Sequence, residues 1–284
     1  MIDPAKLRLT TLVENTTARR GILAEMGLCI LIEADGQRIL LDTGASPVTA
    51  PHNARTLGVD LSAVDTIVLS HGHFDHTGGL PGVLAAMGRE TGIIAHPAVW
   101  ELKYSQNPHT GDYIYGGIPY RQEELERLGA RFILTAEPTW IGEDIVISGE
   151  EPMTTDFEAV DDVLYVKEDG QFAPDSMADD QSVYVRTELG LVIILGCAHR
   201  GTINIIRHAC QLTGMETVYM VVGGTHLFRA PPEQLEQTIN SLREIGVQKL
   251  AVSHCTGMKQ AATMAQVFGH QFMFNNAGTV IKFP

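Results

Sequence analysis

Apolar positions along this chain fall into short runs punctuated by Gly, Asp and Pro, alternating with a smaller number of amphipathic stretches. Lys6 to Val13 alternates weakly and reads as a strand entering the loop Glu14-Asn15-Thr16-Thr17. Gly27–Glu33 and Gln37–Leu41 are apolar runs separated by Ala34-Asp35-Gly36, and the Asp-Gly pair predicts a hairpin. Further strands are predicted at Thr66–Ser70, Ile93–Pro97, Arg131–Leu134 and Asp144–Ile147. The second half repeats the pattern. Ser182–Arg186 and Gly190–Leu195 are joined by a Glu188-Leu189-Gly190 turn, and Thr217–Val222, Lys249–Ser253, Phe272–Phe274 and Thr279–Lys282 follow. Helices are predicted at Leu80–Met87, with Thr77 as its cap, at Arg121–Leu128 before Gly129, and at Ile203–Leu212 with Thr202 as its cap. Two more run from Pro231-Pro232-Glu233 to Ile245 and over Ala261–Phe268. Tyr104 to Tyr120, rich in Gly, Pro, Asn and Tyr, reads as a long loop serving as a lid or contact surface. The expectation is an α/β protein, two β-rich halves packed face to face with helices outside. Residues 1–284 are read as a single domain with a loop-rich insertion at about 100–160.

The strand pattern acquires chemical meaning at its ends. His71, His199, His226 and His254 each follow the C-terminal end of an apolar β run, where open α/β architectures place ligands. His71-Gly72-His73-Phe74-Asp75-His76 packs four metal-ligand side chains into six residues. In extended backbone His71, His73 and Asp75 would point one way, with His76 brought round by a turn. Imidazole and carboxylate together suit zinc or another divalent first-row metal. By contrast His96 reads as structural, and His52, His109, His208 and His270 as solvated.

Composition narrows the function classes. A hydrophobic content of 44% with 19% charged residues is that of a globular protein with a large core. The net charge of −14 argues against a general nucleic-acid surface and disfavours a nuclease. Cys29, Cys197, Cys210 and Cys255 form no CxxC pair and no disulfide framework, so reduced thiols and a cytoplasmic location are expected. No stretch approaches membrane-spanning length, so no membrane partner is expected. The sequence leaves the oligomeric state open, homo-oligomer included.

The HxHxDH stretch, placed after a buried strand and before a helix, resembles the metallo-β-lactamase superfamily. Arg38-Ile39-Leu40-Leu41-Asp42-Thr43-Gly44 is similar to its LLDTG strand end, and His254 after Leu250-Ala251-Val252-Ser253 to its last ligand. Gly196-Cys197-Ala198-His199-Arg200-Gly201, Gly223-Gly224-Thr225-His226-Leu227 and His254-Cys255-Thr256-Gly257 are similar to landmarks of one branch, typified by dihydropterin-(ribofuranosyl)aminobenzene 5′-phosphate synthase. The resemblance implies an αββα four-layer sandwich and a site for one or two divalent ions, zinc foremost, with Mn2+, Fe2+ or Mg2+ as alternatives. Carried over by position, His71 and His73 hold the first ion, and Asp75, His76 and His254 the second. The superfamily's usual GHTPGH-like turn and bridging Asp are not visible. His199 is expected to supply the missing ligand. Cys197 is either a further ligand or a small buried hydrophobe. Asp42 is both a turn-capping Asp and, by the resemblance, a carboxylate orienting the metal loop.

His226 is assigned a substrate-contacting or proton-transfer role, its glycine-rich turn offering backbone N–H groups to an anion. Asp75 is expected to serve the metal and orient the nucleophile. The redox branch carries Glu where this chain has His73, so dioxygen reduction is not expected. The leading expectation is a metal-dependent hydrolase acting through metal-activated water on a small anionic, phosphorylated substrate. The first alternative is transfer chemistry that joins a dihydropterin methyl diphosphate to an aminobenzene ribofuranosyl phosphate and releases diphosphate. The second is a metal-binding module without turnover.

Overall fold

A computed structural model describes residues 1–284. Two seven-stranded sheets and one of four strands make up its β structure. The first sheet runs, in spatial order, Val280–Lys282, Leu7–Val13, Cys29–Ala34, Gln37–Leu41, Thr66–Val68, Thr91–Ala95 and Ala130–Leu134. The second runs Phe272–Phe274, Lys249–Ser253, Val218–Gly224, Gly190–Ile194, Val183–Thr187, Ile145–Ile147 and Thr139–Ile141. The chain's last strand thus closes beside its first, with Leu9 opposite Ile281.

The core explains why these strands read as unbroken apolar runs rather than clean alternations. Ile30, Ile32, Ile39 and Leu41 of the first sheet meet Val183, Val192, Ile194 and Val222 of the second in one buried layer. Their neighbours Leu31 and Leu40 point the other way, onto the helices Thr49–Leu57 and Leu80–Met87. Leu191, Ile193 and Val221 likewise pack on Thr202–Thr213, Pro232–Ile245 and Met258–Phe268. Strands buried on both faces need apolar side chains at every position. The result is an αββα sandwich. From Gln37–Leu41 onward to Ala130–Leu134, and from Gly190–Ile194 to Phe272–Phe274, neighbouring strands pair in parallel. Their C-terminal ends therefore share one rim. No helix is long and apolar enough to cross a membrane.

The structure corrects several local expectations. Tyr104–Tyr120 is no simple loop: Lys103–Gln106 and Tyr113–Tyr115 pair antiparallel within the third sheet, beside Leu164–Glu168 and Gln171–Pro174. Aromatic contacts hold this sheet, among them Tyr113 stacked on Phe172 at 3.7 Å and Tyr104 edge-on to Tyr115. Residues 100–160 are accordingly shared among all three sheets. Thr77 caps no helix, because its hydroxyl donates to the His73 carbonyl and Gly79 opens Leu80–Met87. Thr202 lies inside its helix, which is capped from a distance: the Glu158 carboxylate accepts from the amides of Ile203 and Asn204. Of the histidines read as solvated, His109 and His270 are exposed, but His52 bonds the Gly21 carbonyl and His208 is half-buried against Tyr184. His96 accepts from the Ala98 amide and begins a short helical turn.

Candidate metal centre

Every site residue sits just past a strand end on the shared rim. The strand Thr66–Val68 leads through Ser70 to His71, Gly190–Ile194 to Cys197 and His199, Val218–Gly224 to His226, and Lys249–Ser253 to His254. The first loop does not continue as extended chain. Phe74–Thr77 forms one helical turn, so Asp75 is turned away from His71 and His73 and toward His76. This corrects the expectation that His71, His73 and Asp75 face one way.

Two triads result. Ligand atoms of His71, His73 and His199 lie within 4.8 Å of one another, and so do those of Asp75, His76 and His254. In the first, the Nε2 atoms of His71 and His199 are 3.3 Å apart. In the second, His254 Nε2 is 3.3 Å from His76 Nε2 and 3.2 Å from Asp75 Oδ2. Cys197 Sγ is 3.1 Å from His76 Nε2 and forms a further compact group with His71 and His76, and another with His199 and His226. It thus touches both triads, at a place where the resembled superfamily has a carboxylate. Cys255 joins Cys197 and His254 in another such group.

The far sides of His71, His76 and His254 are held by protein, whereas Nδ1 of His199 is buried without a partner. Asp42 is fully buried, its carboxylate accepting from the Ser70 amide and hydroxyl and lying 2.6 Å from His76 Nδ1. The Ser70 hydroxyl, donating to Asp42, is 2.9 Å from His71 Nδ1. Asn15 Oδ1 is 2.8 Å from His254 Nδ1, and Glu14 accepts from the His254 amide at 2.8 Å. Acceptors on Nδ1 fix the tautomer and leave the Nε2 lone pair facing the centre. Asp42, Ala198, His226 and His254 all adopt positive φ, between 46° and 59°, a conformation worth about 1 kcal/mol or more of strain for non-glycine residues. Such strain collects where side-chain aim outweighs backbone comfort.

Electrostatics separates the triads. Burial, then neighbouring imidazoles, hold His71 and His199 well below the usual histidine range, and burial takes His73 down to about 3. These three imidazoles are neutral. Burial works against charge on His76 too, but Asp42 and Asp75 outweigh it and raise the ring to about 9. The same carboxylates that favour a proton there favour a cation at the same nitrogen. Burial would raise Asp75, yet His76, His254 and His73 draw its carboxyl well below the usual range. His226 differs: against burial, Asp161 at 3.2 Å and Cys255 lift it to about 10, so it enters the site as an imidazolium. Burial raises the Cys197 thiol well above its usual value.

Three neutral imidazoles converging through lone pairs, beside two imidazoles and a carboxylate, form a donor set suited to divalent metal. His73 and His199 of the first triad and Asp75 and His254 of the second line a cavity of about 950 Å³, whose walls include Phe74, Tyr104, Phe228, Phe274 and Arg229. The structure therefore brings together His71, His73, Asp75, His76, His199 and His254, with Cys197 between them, Asp42 behind and His226 at the cavity wall. Sequence reasoning passed over Glu14, Asn15, Ser70, Asp161 and Cys255. Their polar types were visible, but only the folded chain brings Asn15 to His254 or Asp161 to His226 across 239 and 65 residues.

Known proteins resemble this chain in sequence and in fold. The family model of the metallo-β-lactamase superfamily matches residues 23–155. A 7,8-dihydropterin-6-methyl-4-(β-D-ribofuranosyl)-aminobenzene-5′-phosphate synthase from Methanocaldococcus jannaschii is 32% identical over 287 residues, covering 98% of this chain and 97% of the relative. The crystal structure of Tm1679, a metal-dependent hydrolase of the β-lactamase superfamily, superposes with a TM-score of 0.82 at 28% identity, over 97% of this chain and 98% of the other. The short form of human tRNase Z shares the fold, with a TM-score of 0.51 at 13% identity, over 98% of this chain and 99% of the other. With two histidine-rich triads on the rim of an αββα sandwich and a full-length likeness to the synthase, this chain belongs to the metallo-β-lactamase superfamily of metal-dependent enzymes, in the branch that holds that synthase.

Proposed function

We propose that the protein is a metal-dependent transferase that joins an aromatic amine to a methyl-diphosphate-activated heterocycle and releases diphosphate, a reading supported by its full-length likeness to the Methanocaldococcus jannaschii synthase. The geometric support is the cavity over the triads. At about 950 Å³ it stands near the upper end for ligand sites, with room for two ring systems where a small phosphoester needs far less. Phe74, Tyr104 and Phe228 offer flat apolar faces to such rings.

In the transfer, the amine nitrogen forms a bond to the methylene carbon as the carbon–oxygen bond to diphosphate breaks. The oxygen leaves with the electron pair and the nitrogen gives up a proton. Divalent ions, zinc foremost, supply Lewis-acid stabilisation of phosphoryl oxygens when bound by His71, His73 and His199 and by Asp75, His76 and His254. His226, kept protonated by Asp161, sets a positive charge at the cavity wall that favours a phosphate there, and Arg229, the cavity's one guanidinium, adds a second. The apolar walls exclude water that would otherwise compete with the amine.

A second reading, hydrolysis of a phosphorylated substrate by water, draws support from the 28% identity to a metal-dependent hydrolase. Diphosphate release from the dihydropterin methyl diphosphate, measured with and without the aminobenzene ribofuranosyl phosphate, separates the two. Transfer requires release that depends on the amine and equals the joined product. Equal release without the amine would replace it with hydrolysis.

A further inference from the structure

Behind the first triad lies a group of buried charges that the chemistry above does not use. Lys103 is completely buried, and its Nζ sits 2.9 Å from Asp175 Oδ2 and 2.8 Å from Asp179 Oδ1, both carboxylates themselves buried. The second oxygen of Asp179 accepts from the amide of Gly72 at 2.7 Å. Gly72 is the residue between His71 and His73. On its other side the chain is equally confined: a Cβ at Gly72 would stand 2.3 Å from the Val99 carbonyl oxygen. The peptide joining two metal-ligand histidines is therefore pinned between the Val99 carbonyl and the Asp179 carboxylate.

The neighbours of Asp179 extend the clamp. Asp180 accepts from the Arg200 amide, next to His199, and Gln181 bonds the carbonyls of Leu69 and Ser70 through its side chain and amide. One three-residue stretch thus braces the loops that carry all three ligands of the first triad. Any slide of Gly72 swings His71 and His73 together, because they flank it.

We propose that Asp179, clamped by Lys103, is a positioning residue that sets the spread of His71 and His73 and thereby the affinity of the first metal position. Its chief instrument is the hydrogen bond to Gly72, since partners one step behind metal ligands commonly carry 10–100-fold in metal affinity. Lys103 adjoins Tyr104 on one strand, Lys103 facing the core and Tyr104 the cavity, so the same clamp secures the cavity wall. The inference rests on the metal dependence of the site and not on the identity of its substrate.

The test compares Asp179→Asn, which keeps an oxygen acceptor for Gly72, with Asp179→Leu, which removes it. Zinc affinity is measured by competition with a chromophoric chelator on metal-free protein whose melting temperature is recorded alongside, and visible spectra are taken after cobalt loading. Asp179→Asn should bind zinc within about 3-fold of the parent and keep its cobalt spectrum. In Asp179→Leu one zinc should bind roughly 10–100-fold more weakly and the cobalt spectrum should change, with the other zinc retained. Asp179→Ala carries the same expectation if the Leu variant does not fold. Parental zinc affinity in the folded Leu or Ala variant would overturn the proposal, as would equal losses in the Asn variant.

Discussion

At the scale of single residues, His226 is where charge and chemistry are most tightly linked. Its ring lies 4.0 Å from that of His199, close enough to share ligand space with it, yet Asp161 and Cys255 keep it protonated. Its Nε2 faces Asp161 at 3.2 Å, so that nitrogen is taken by a carboxylate rather than offered to a metal. His226→Ala should therefore keep the parent's metal content while kcat/KM falls roughly 10- to 100-fold, the loss expected when a positive charge at the cavity wall is removed. Loss of a metal equivalent in that variant, read by elemental analysis, would make His226 a ligand instead. The histidines of this site were visible in the sequence because each ends an apolar run. Their supports were not: Glu14 and Asn15 are ordinary loop residues until the fold carries them to His254, and Ser70 ends a predicted strand with nothing to mark its bond to Asp42.

Among the elements, the helix Thr202–Thr213 shows how much the site owes to a distant cap. Gly201 has a φ of 101°, and a Cβ there would stand 2.4 Å from the Glu158 carboxyl carbon. That closeness lets both Glu158 oxygens reach the first free amides of the helix, Ile203 at 2.8 Å and Asn204 at 2.9 Å. The helix begins directly after the His199 loop, so its start fixes where that loop ends. Glu158→Ala should cost about 1–2 kcal/mol of stability, as for other caps, measured by urea unfolding of the metal-free protein. No change would mean water or Thr155 takes over the capping. A residue 45 positions upstream of the amide it caps leaves no sequence signature, which is why Thr202 looked like the cap. The third sheet escaped notice for a related reason. Lys103–Gln106 and Tyr113–Tyr115 are read as loop because their strands are built on aromatic pairing and one buried lysine rather than on aliphatic alternation. Where aliphatic runs dominate, as in both large sheets, strand positions were legible to within a few residues.

For the molecule as a whole, buried acids shape the response to pH. Burial raises Glu151 from 4.5 to about 8, against hydrogen bonds from Tyr184, Ser148 and Ser182, and raises Asp180 to about 7. The folded protein thus keeps protons that the unfolded chain gives up near pH 4 to 5. Stability from this source is complete below the unfolded values and is lost as pH rises through about 7 and 8. The melting temperature of the metal-free protein should fall between about pH 7 and pH 9, above the range in which the lowered His71, His73 and His199 act in the opposite sense, by roughly 2–4 °C for each kcal/mol lost. Glu151→Gln, which cannot ionise, should flatten part of that decline. An equally steep decline in the variant would move its origin elsewhere.

The pairing of the chain's two ends, and the division of each triad between the two halves, also set an order of events during synthesis. His71, His73, Asp75 and His76 leave the ribosome early, but His199 follows His71 by 128 residues and His254 follows His76 by 178. The strand Val280–Lys282, which completes the first sheet beside Leu7–Val13, comes last of all. A growing chain therefore offers only two of the three members of each triad, a loose claw not yet closed. Each triad is complete only when the late histidines have folded onto the early loop and Val280–Lys282 has paired with Leu7–Val13.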